Sequence, residues 1–268
     1  MWLGVGKGKG GAGCTTAVLE LAHAASRRTT RDGRPRRVVV LDLDPQGDAT
    51  EALAPAARGP GIKAALTPPD DTGHSPLPLR HVLVPTSWDR IWVAPADRYL
   101  ANRESDLTPH GIATLRRARL SGELEDLADD VIIDLPRHLG KLSATGLLGI
   151  ERLFITSRPT MWSAQGAEEM RYSATRIAQK GNPELEIAGF IVSAFSNTGD
   201  ERRVLKEMRA RFGRKILSPM VPRCTRASES LESYHIPCRE YGDPELVRLA
   251  DVYQKYYDRV LRLSEGVR

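Results

Sequence analysis

Near the amino terminus runs Gly6-Lys7-Gly8-Lys9-Gly10-Gly11-Ala12-Gly13-Cys14-Thr15-Thr16. Glycines let a backbone turn tightly and aim successive N–H groups inward, and a following helix adds its partial positive charge, so this loop is suited to cradling an anion. An apolar run precedes it and a helical pattern follows, the context that a phosphate loop requires; a plain flexible turn would use the same glycines. Thr15 or Thr16 adds a hydroxyl suited to holding Mg²⁺. A second polar cluster, Asp42-Leu43-Asp44-Pro45-Gln46-Gly47-Asp48, closes another apolar run. Carboxylates there can orient water and metal ligands in the crevice of an α/β sheet. A third, Val131-Ile132-Ile133-Asp134-Leu135-Pro136, ends on one acid of the kind that anchors Mg²⁺ in phosphoryl transfer. Each cluster alone reads as a polar turn, but three in order at strand ends point to a nucleotide site.

Short apolar runs that recur between helical patterns must position these groups. The strands expected are Trp2–Gly6, Arg37–Asp44, Ile91–Ala94, Val131–Leu135, Leu153–Ser157, Ile187–Ala194 and Ile216–Val221. Several are continuously apolar, as in strands covered on both faces. Helices are expected over Cys14–Arg27, Ser163–Gln179, Glu201–Arg211 and Glu245–Leu263. In the last, Leu246, Leu249, Ala250, Tyr253, Tyr257 and Val260 share a face. The alternation predicts an α/β fold, a mostly parallel twisted sheet with helices on both faces, in a single domain over residues 1–268. Ala54–Thr86, rich in Pro, Gly, Asp and Thr, reads as a long surface loop around a short helix.

Composition narrows the class. With 41% hydrophobic and 27% charged residues in 268, the chain suits a globular protein and excludes disorder of its bulk. No apolar stretch approaches the ~20 residues of a membrane-spanning helix. Three cysteines (Cys14, Cys224, Cys238) make neither a disulfide framework nor a metal spacing, and the first residues lack the charged leader of a signal peptide. The expectation is a cytoplasmic protein with reduced thiols. The net charge of +5, carried by 31 arginines and 8 lysines, is compatible with phosphate or nucleic-acid partners but does not single them out.

The motifs resemble those of the ParA/MinD-type ATPases. Lys9 to Thr16 looks like the deviant Walker A motif KGGxGKTT, and Asp42 to Thr50 looks like the switch I motif DxDPQGNxT. Asp134-Leu135-Pro136 is similar to the start of the DxPP switch II, and Val221-Pro222-Arg223 with Ser228-Glu229-Ser230 to the IPR…SEA segment. The resemblance runs from Leu3 to about Leu261 and implies a P-loop NTPase fold, with ATP and Mg²⁺ as cofactors. It makes Gly8, Lys9, Gly10, Gly11, Ala12, Gly13, Cys14, Thr15 and Thr16 nucleotide-binding, with Pro222 and Arg223 beside the adenine. Thr15, Asp44 and Asp134 stand on the metal side. Lys9 and Asp44 are the implied catalytic pair, Lys9 reaching across an ATP-closed homodimer and Asp44 positioning the attacking water. Starting directly at strand one, the chain resembles the small ParAs without an amino-terminal DNA-reading module. It implies a nucleoid-associated partition ATPase for plasmid, phage or chromosome, stimulated by a ParB-like centromere-binding partner.

Cys14 is the main departure, standing where the family has its phosphate-binding lysine. Losing one charge-assisted hydrogen bond should cost ~1.5–3 kcal/mol of binding, roughly one to two decades in affinity, and more in the transition state. The alternative function is therefore a nucleotide-binding scaffold or regulator without turnover. Lys7 stands where the family usually has Asn. The simpler expectation is a solvated side chain; the other has Lys7 replace the missing charge. A helix amino terminus with nearby lysines would also lower the Cys14 pKa and open a redox role.

Arg202, Arg203, Lys206, Arg209 and Arg226, with Arg211, Arg214, Lys215 and Arg223 nearby, form a basic segment. The resemblance makes it a surface for DNA without sequence preference; interspersed Glu201 and Glu207 suit a solvated helix face equally. The polar ending Leu263-Ser264-Glu265-Gly266-Val267-Arg268 argues against a membrane-binding tail.

Overall fold

The computed structural model describes residues 1–57, 59–68 and 75–265. Seven strands form one sheet: β1 (Trp2–Lys7), β2 (Val38–Asp42), β3 (Val84–Pro85), β4 (Ile91–Ala94), β5 (Asp130–Asp134), β6 (Arg152–Ser157) and β7 (Glu186–Val192). Their order is β3-β4-β2-β5-β1-β6-β7, and every pair is parallel except β3 with β4. The fold is the α/β P-loop NTPase arrangement, mostly parallel with helices on both faces. β1 therefore lies between β5 and β6, so the loops after those strands flank the loop after β1. Register sets Asp134 beside both Val5 and Asp42.

Side chains alternate between two apolar layers. Leu3, Val5, Val38, Val40, Ile132 and Phe154 face α1 (Cys14–Ser26), α2 (Asp48–Leu53) and the last helix. Val39, Leu41, Ile133 and Ile155 face α3 (Lys141–Gly149), α4 (Met161–Lys180) and α5 (Gly199–Phe212). The last helix is α6 (Pro244–Ser264), and its predicted stripe is buried throughout, joined by Val252 and Tyr256. Fully burying each such side chain contributes roughly 1.5–3 kcal/mol. Two termini carry legible caps: Thr198 and Glu201 form a capping box on α5, and Asp243 caps α6 ahead of Pro244.

The sequence expectations differ from the structure in three places. Ile216–Val221 is not a strand. Leu217 and Val221 donate to the Phe190 and Val192 carbonyls, but Pro219 between them has no N–H, so only isolated bridges form. Within the presumed loop 54–86, Gly61–Ala65 is the expected short helix, whereas Val84–Pro85 adds an edge strand. Residues 58 and 69–74 of that loop, including Pro69, Asp70 and Asp71, lie outside the described residues, as do residues 266–268 of the polar ending. Short helices such as Thr114–Leu120 were not anticipated, since their few apolar positions give no sustained period. Among the described residues, no helix is long and apolar enough to cross a membrane.

A carboxylate on α1 gives the fold a pH dependence. Glu20 is 1% exposed; Oε1 accepts the Cys238 N–H at 3.0 Å, while Oε2 has no hydrogen-bond partner among the described residues. Burial pushes its pKa up to about 7. Between about pH 4.5 and 7 the folded chain holds a proton that the unfolded chain has released, so stability falls as pH rises through this window. Glu20→Gln is expected to melt higher than the native chain at pH 8, by up to about 3 kcal/mol, and to flatten the slope of Tm against pH. An unchanged slope would assign the dependence elsewhere.

Candidate nucleotide site

The loop between β1 and α1 is shaped by two left-handed glycines, Gly11 and Gly13, with φ of 71° and 73°. A side chain would strain either position, and alternation of this kind turns successive N–H groups towards one side. Ser193, just past β7, holds the loop from behind by donating Oγ to the Ala12 carbonyl at 2.7 Å. Gly8 packs against Gly166 of α4 so closely that a methyl group on it would lie 1.8 Å from the Gly166 carbonyl oxygen. Gly11, Gly13 and Thr16 line a cavity of about 290 Å³ together with Pro222 and Arg223. Residues more than two hundred positions apart thus meet, as the sequence reading expects.

Beneath the loop lies an acidic centre. Asp134 closes β5, fully buried; its Oδ2 accepts the Thr15 hydroxyl at 2.8 Å and its Oδ1 the Cys14 thiol at 3.3 Å. Cys14 Sγ also lies 3.2 Å from the Val5 carbonyl. Asp42 accepts three hydrogen bonds, from Thr50 N–H, Thr50 Oγ1 and the Asp44 N–H. Burial, then the facing Asp134 carboxylate, raises Asp42 above the usual carboxylate range; burial likewise raises Asp134.

Lys7 is not a solvated side chain. It is 5% exposed, and Nζ donates to Asp44 Oδ2 at 3.1 Å. Burial acts against its charge, but the Asp134 and Asp44 carboxylates around it, with the Asp44 hydrogen bond, outweigh burial and hold the ammonium above the ordinary lysine range. As the last residue of β1, a strand buried on both faces, Lys7 shares the face of Leu3 and Val5, and there it meets Asp44. Nor does Cys14 become a thiolate. Burial first, and then Asp134, pushes its thiol well above normal, more than Lys7 lowers it. Cys14 is a neutral donor, and the redox expectation is withdrawn.

The remaining predicted residues lie at the periphery. Lys9 is exposed, its Nζ 5.4 Å from the centre of the Trp162 ring, itself 76% exposed. On α5, Arg202, Arg203, Lys206 and Arg209 point outward while Val204, Leu205, Met208 and Phe212 are buried. Glu201 turns away to cap the helix, and Arg203 is bracketed by Asp200 and Glu207 at 2.7 and 2.9 Å. Lys206 and Arg209 have no carboxylate partner among the described residues. Arg226 stands apart on a short helix, paired with Asp243 and with Glu229. Sequence reasoning missed the loop's supports: Ser193, Gly166, and the arginines Arg137 and Arg158 after β5 and β6. Residues just beyond parallel strands are where such supports collect, and that rule was available.

For Mg²⁺ the donor set fits. Thr15 donates its hydroxyl proton to Asp134 and keeps its oxygen lone pairs for a hard cation. Among the described residues no group of three His, Cys, Asp or Glu could hold a metal alone. Mg²⁺ usually takes one or two protein oxygens, its other ligands being phosphate and water.

Comparison with known proteins identifies the family and the fold. The AAA domain family model matches residues 2–187. The chromosome partitioning protein ParA of Myxococcus xanthus is 28% identical over 264 residues, covering 96% of this chain and 83% of that one. A cobyrinic acid a,c-diamide synthase of Mycobacterium smegmatis, solved with ADP and magnesium, superposes with a TM-score of 0.78 at 25% identity, over 100% of this chain and 96% of that one. A Cyanothece McdA–ATP complex shares the fold, with a TM-score of 0.82 at 18% identity over 97% and 95% of the two chains.

Proposed function

The chain belongs to the ParA/MinD family of P-loop ATPases, and on that premise we propose that it is a partition protein that binds ATP with Mg²⁺ at the Gly8–Thr16 loop. The cavity uniting Gly11, Gly13 and Thr16 with Pro222 and Arg223 carries the reading, since it joins a phosphate cradle to a side pocket suited to a base. Thr15 and Asp134 would hold Mg²⁺, which when bound offsets the phosphate charge. Nucleotide closes a homodimer in which Lys9 leaves Trp162 for the partner's phosphates. Asp44, at the end of the Lys7 pair, orients the attacking water. The dimer binds DNA through phosphate contacts of the α5 face, centred on Arg202, Lys206 and Arg209, and a ParB-like partner stimulates turnover. The protein works in the cytoplasm on the nucleoid, and one domain carries all of this.

Cys14 favours a second reading, in which the protein holds nucleotide without hydrolysing it. A neutral thiol bonded to Asp134 and Val5 cannot follow the charge that develops on a transferring phosphoryl group. ATP turnover with Mg²⁺ and DNA, measured beside Asp44→Ala and Cys14→Lys with binding in parallel, separates the two. The first reading expects turnover that Asp44→Ala lowers by about 10²–10⁴. Binding without turnover, restored in Cys14→Lys, establishes the second. A chain that binds no nucleotide sinks both.

A further inference from the structure

Lys7 closes β1 and Lys9 stands in the β1–α1 loop, and each already has a partner within this chain. Lys7 is committed to Asp44 below, and Lys9 rests over Trp162 to the side. The residue that would normally bring a cation to the phosphates is the neutral Cys14. Side chains reach the outer face of the loop from its two flanks. A methyl group built on Gly10 would lie 3.7 Å from a guanidinium nitrogen of Arg137, and one on Gly11 would lie 3.8 Å from a guanidinium nitrogen of Arg158. Apart from each glycine's chain neighbours, no other side chain among the described residues comes within 4 Å.

The placement follows from topology. Arg137 comes three residues after Asp134 on β5, and Arg158 immediately after Ser157 on β6; β5 and β6 are the two neighbours of β1. Each arginine therefore leans over the loop from an opposite side. Both are exposed, and neither guanidinium has a carboxylate partner among the described residues. Arg158 is also held by its backbone, whose N–H donates to Ser163 Oγ at 2.9 Å, and it lines the same cavity as Pro222 and Arg223.

We propose that Arg137 and Arg158 form a two-sided clamp for the nucleotide's phosphates, supplying from the β5 and β6 loops the positive charge that Cys14 removes from the loop itself. Guanidinium suits the role: it is always charged, and its planar fork can donate two bonds to one phosphate. This deepens the nucleotide reading and rests on it. The clamp reads phosphate and not base, so it predicts a pattern across ligands.

The test is titration of the full chain with a fluorescent ATP analogue in Mg²⁺, followed by competition with ATP, ADP and adenosine. Arg137→Ala and Arg158→Ala are each expected to weaken ATP binding about tenfold, and the double variant about a hundredfold, with adenosine competition unchanged. Arg137→Lys and Arg158→Lys should recover part of each loss. Both residues are exposed, and a melting curve of each variant checks that the fold is intact. A native chain that binds, with both alanine variants within twofold of it, overturns the clamp and leaves the nucleotide reading standing. Equal losses for ATP and adenosine also overturn it, as they would mean a distorted loop. A native chain that binds no nucleotide overturns the clamp and the function together.

Discussion

Lys7→Met is expected to destabilise the ligand-free protein by about 3–5 kcal/mol at pH 8, a fall in Tm on the order of 10 °C. Lys7 is the buried cation among Asp44, Asp134 and Cys14, and Asp42 stands beside Asp134 in register. Removing one member of a buried pair leaves an uncompensated charge where water cannot reach it, and that loss exceeds what the pair itself contributes. Methionine keeps the volume and apolar stem, so packing changes little. Two companion results identify the cause. Lys7→Met with Asp44→Asn should recover most of the stability, because the charge left behind is gone. The deficit should also shrink towards pH 5, where Asp42 and Asp134, already raised by burial, take up protons. Thermal melts at the two pH values decide it, and a Tm within 2 °C or so of native at pH 8 would return Lys7 to the role of a stray side chain.

The second large effect belongs to Gly8. Alanine there puts a methyl carbon 1.8 Å from the Gly166 carbonyl oxygen and 2.0 Å from its carbon, and Gly166→Ala meets Gly8 at 2.7 Å in return. These are backbone atoms, so no rotamer change relieves the overlap; either the loop or α4 must move. Gly8→Ala is expected to cost at least the ~1–3 kcal/mol of an overpacked core and to weaken nucleotide binding by about a hundredfold, because the loop's N–H groups lose their aim. Gly199→Ala, at the start of α5, is the control: its methyl would meet only an Arg202 nitrogen, at 4.0 Å. Equal affinities for the two variants would sink the idea that the Gly8–Gly166 contact sets the loop.

Patterns dominated by local chemistry were legible before any coordinates. Five expected strands match within a residue or two at each end, because strands covered on both faces are continuously apolar, and Ile91–Ala94 matches at both ends. The α6 stripe was legible for the same reason. Asp44, Asp134 and the glycine loop were legible because α/β sheets gather their chemistry at the carboxyl ends of strands. The misreadings share another cause. Ile216–Val221 has the apolarity of a strand, but the lack of a donor at Pro219 shows only when its neighbours' bonds are counted. Lys7 looked solvated because lysines usually are; the pairing that keeps it buried comes from Asp44, 37 residues away.

From the amino-acid sequence alone come the α/β class, the family, the glycine loop and the anomaly at Cys14, all properties of residue type and short spacing. The tertiary structure alone decided which charge faces which. It turned Cys14 into a neutral donor to Asp134, Lys7 into the counter-ion of Asp44, and Arg137 and Arg158 into cations beside the outer loop. Electrostatic roles depend on burial and on distances of a few ångströms between strands, and linear spacing carries neither.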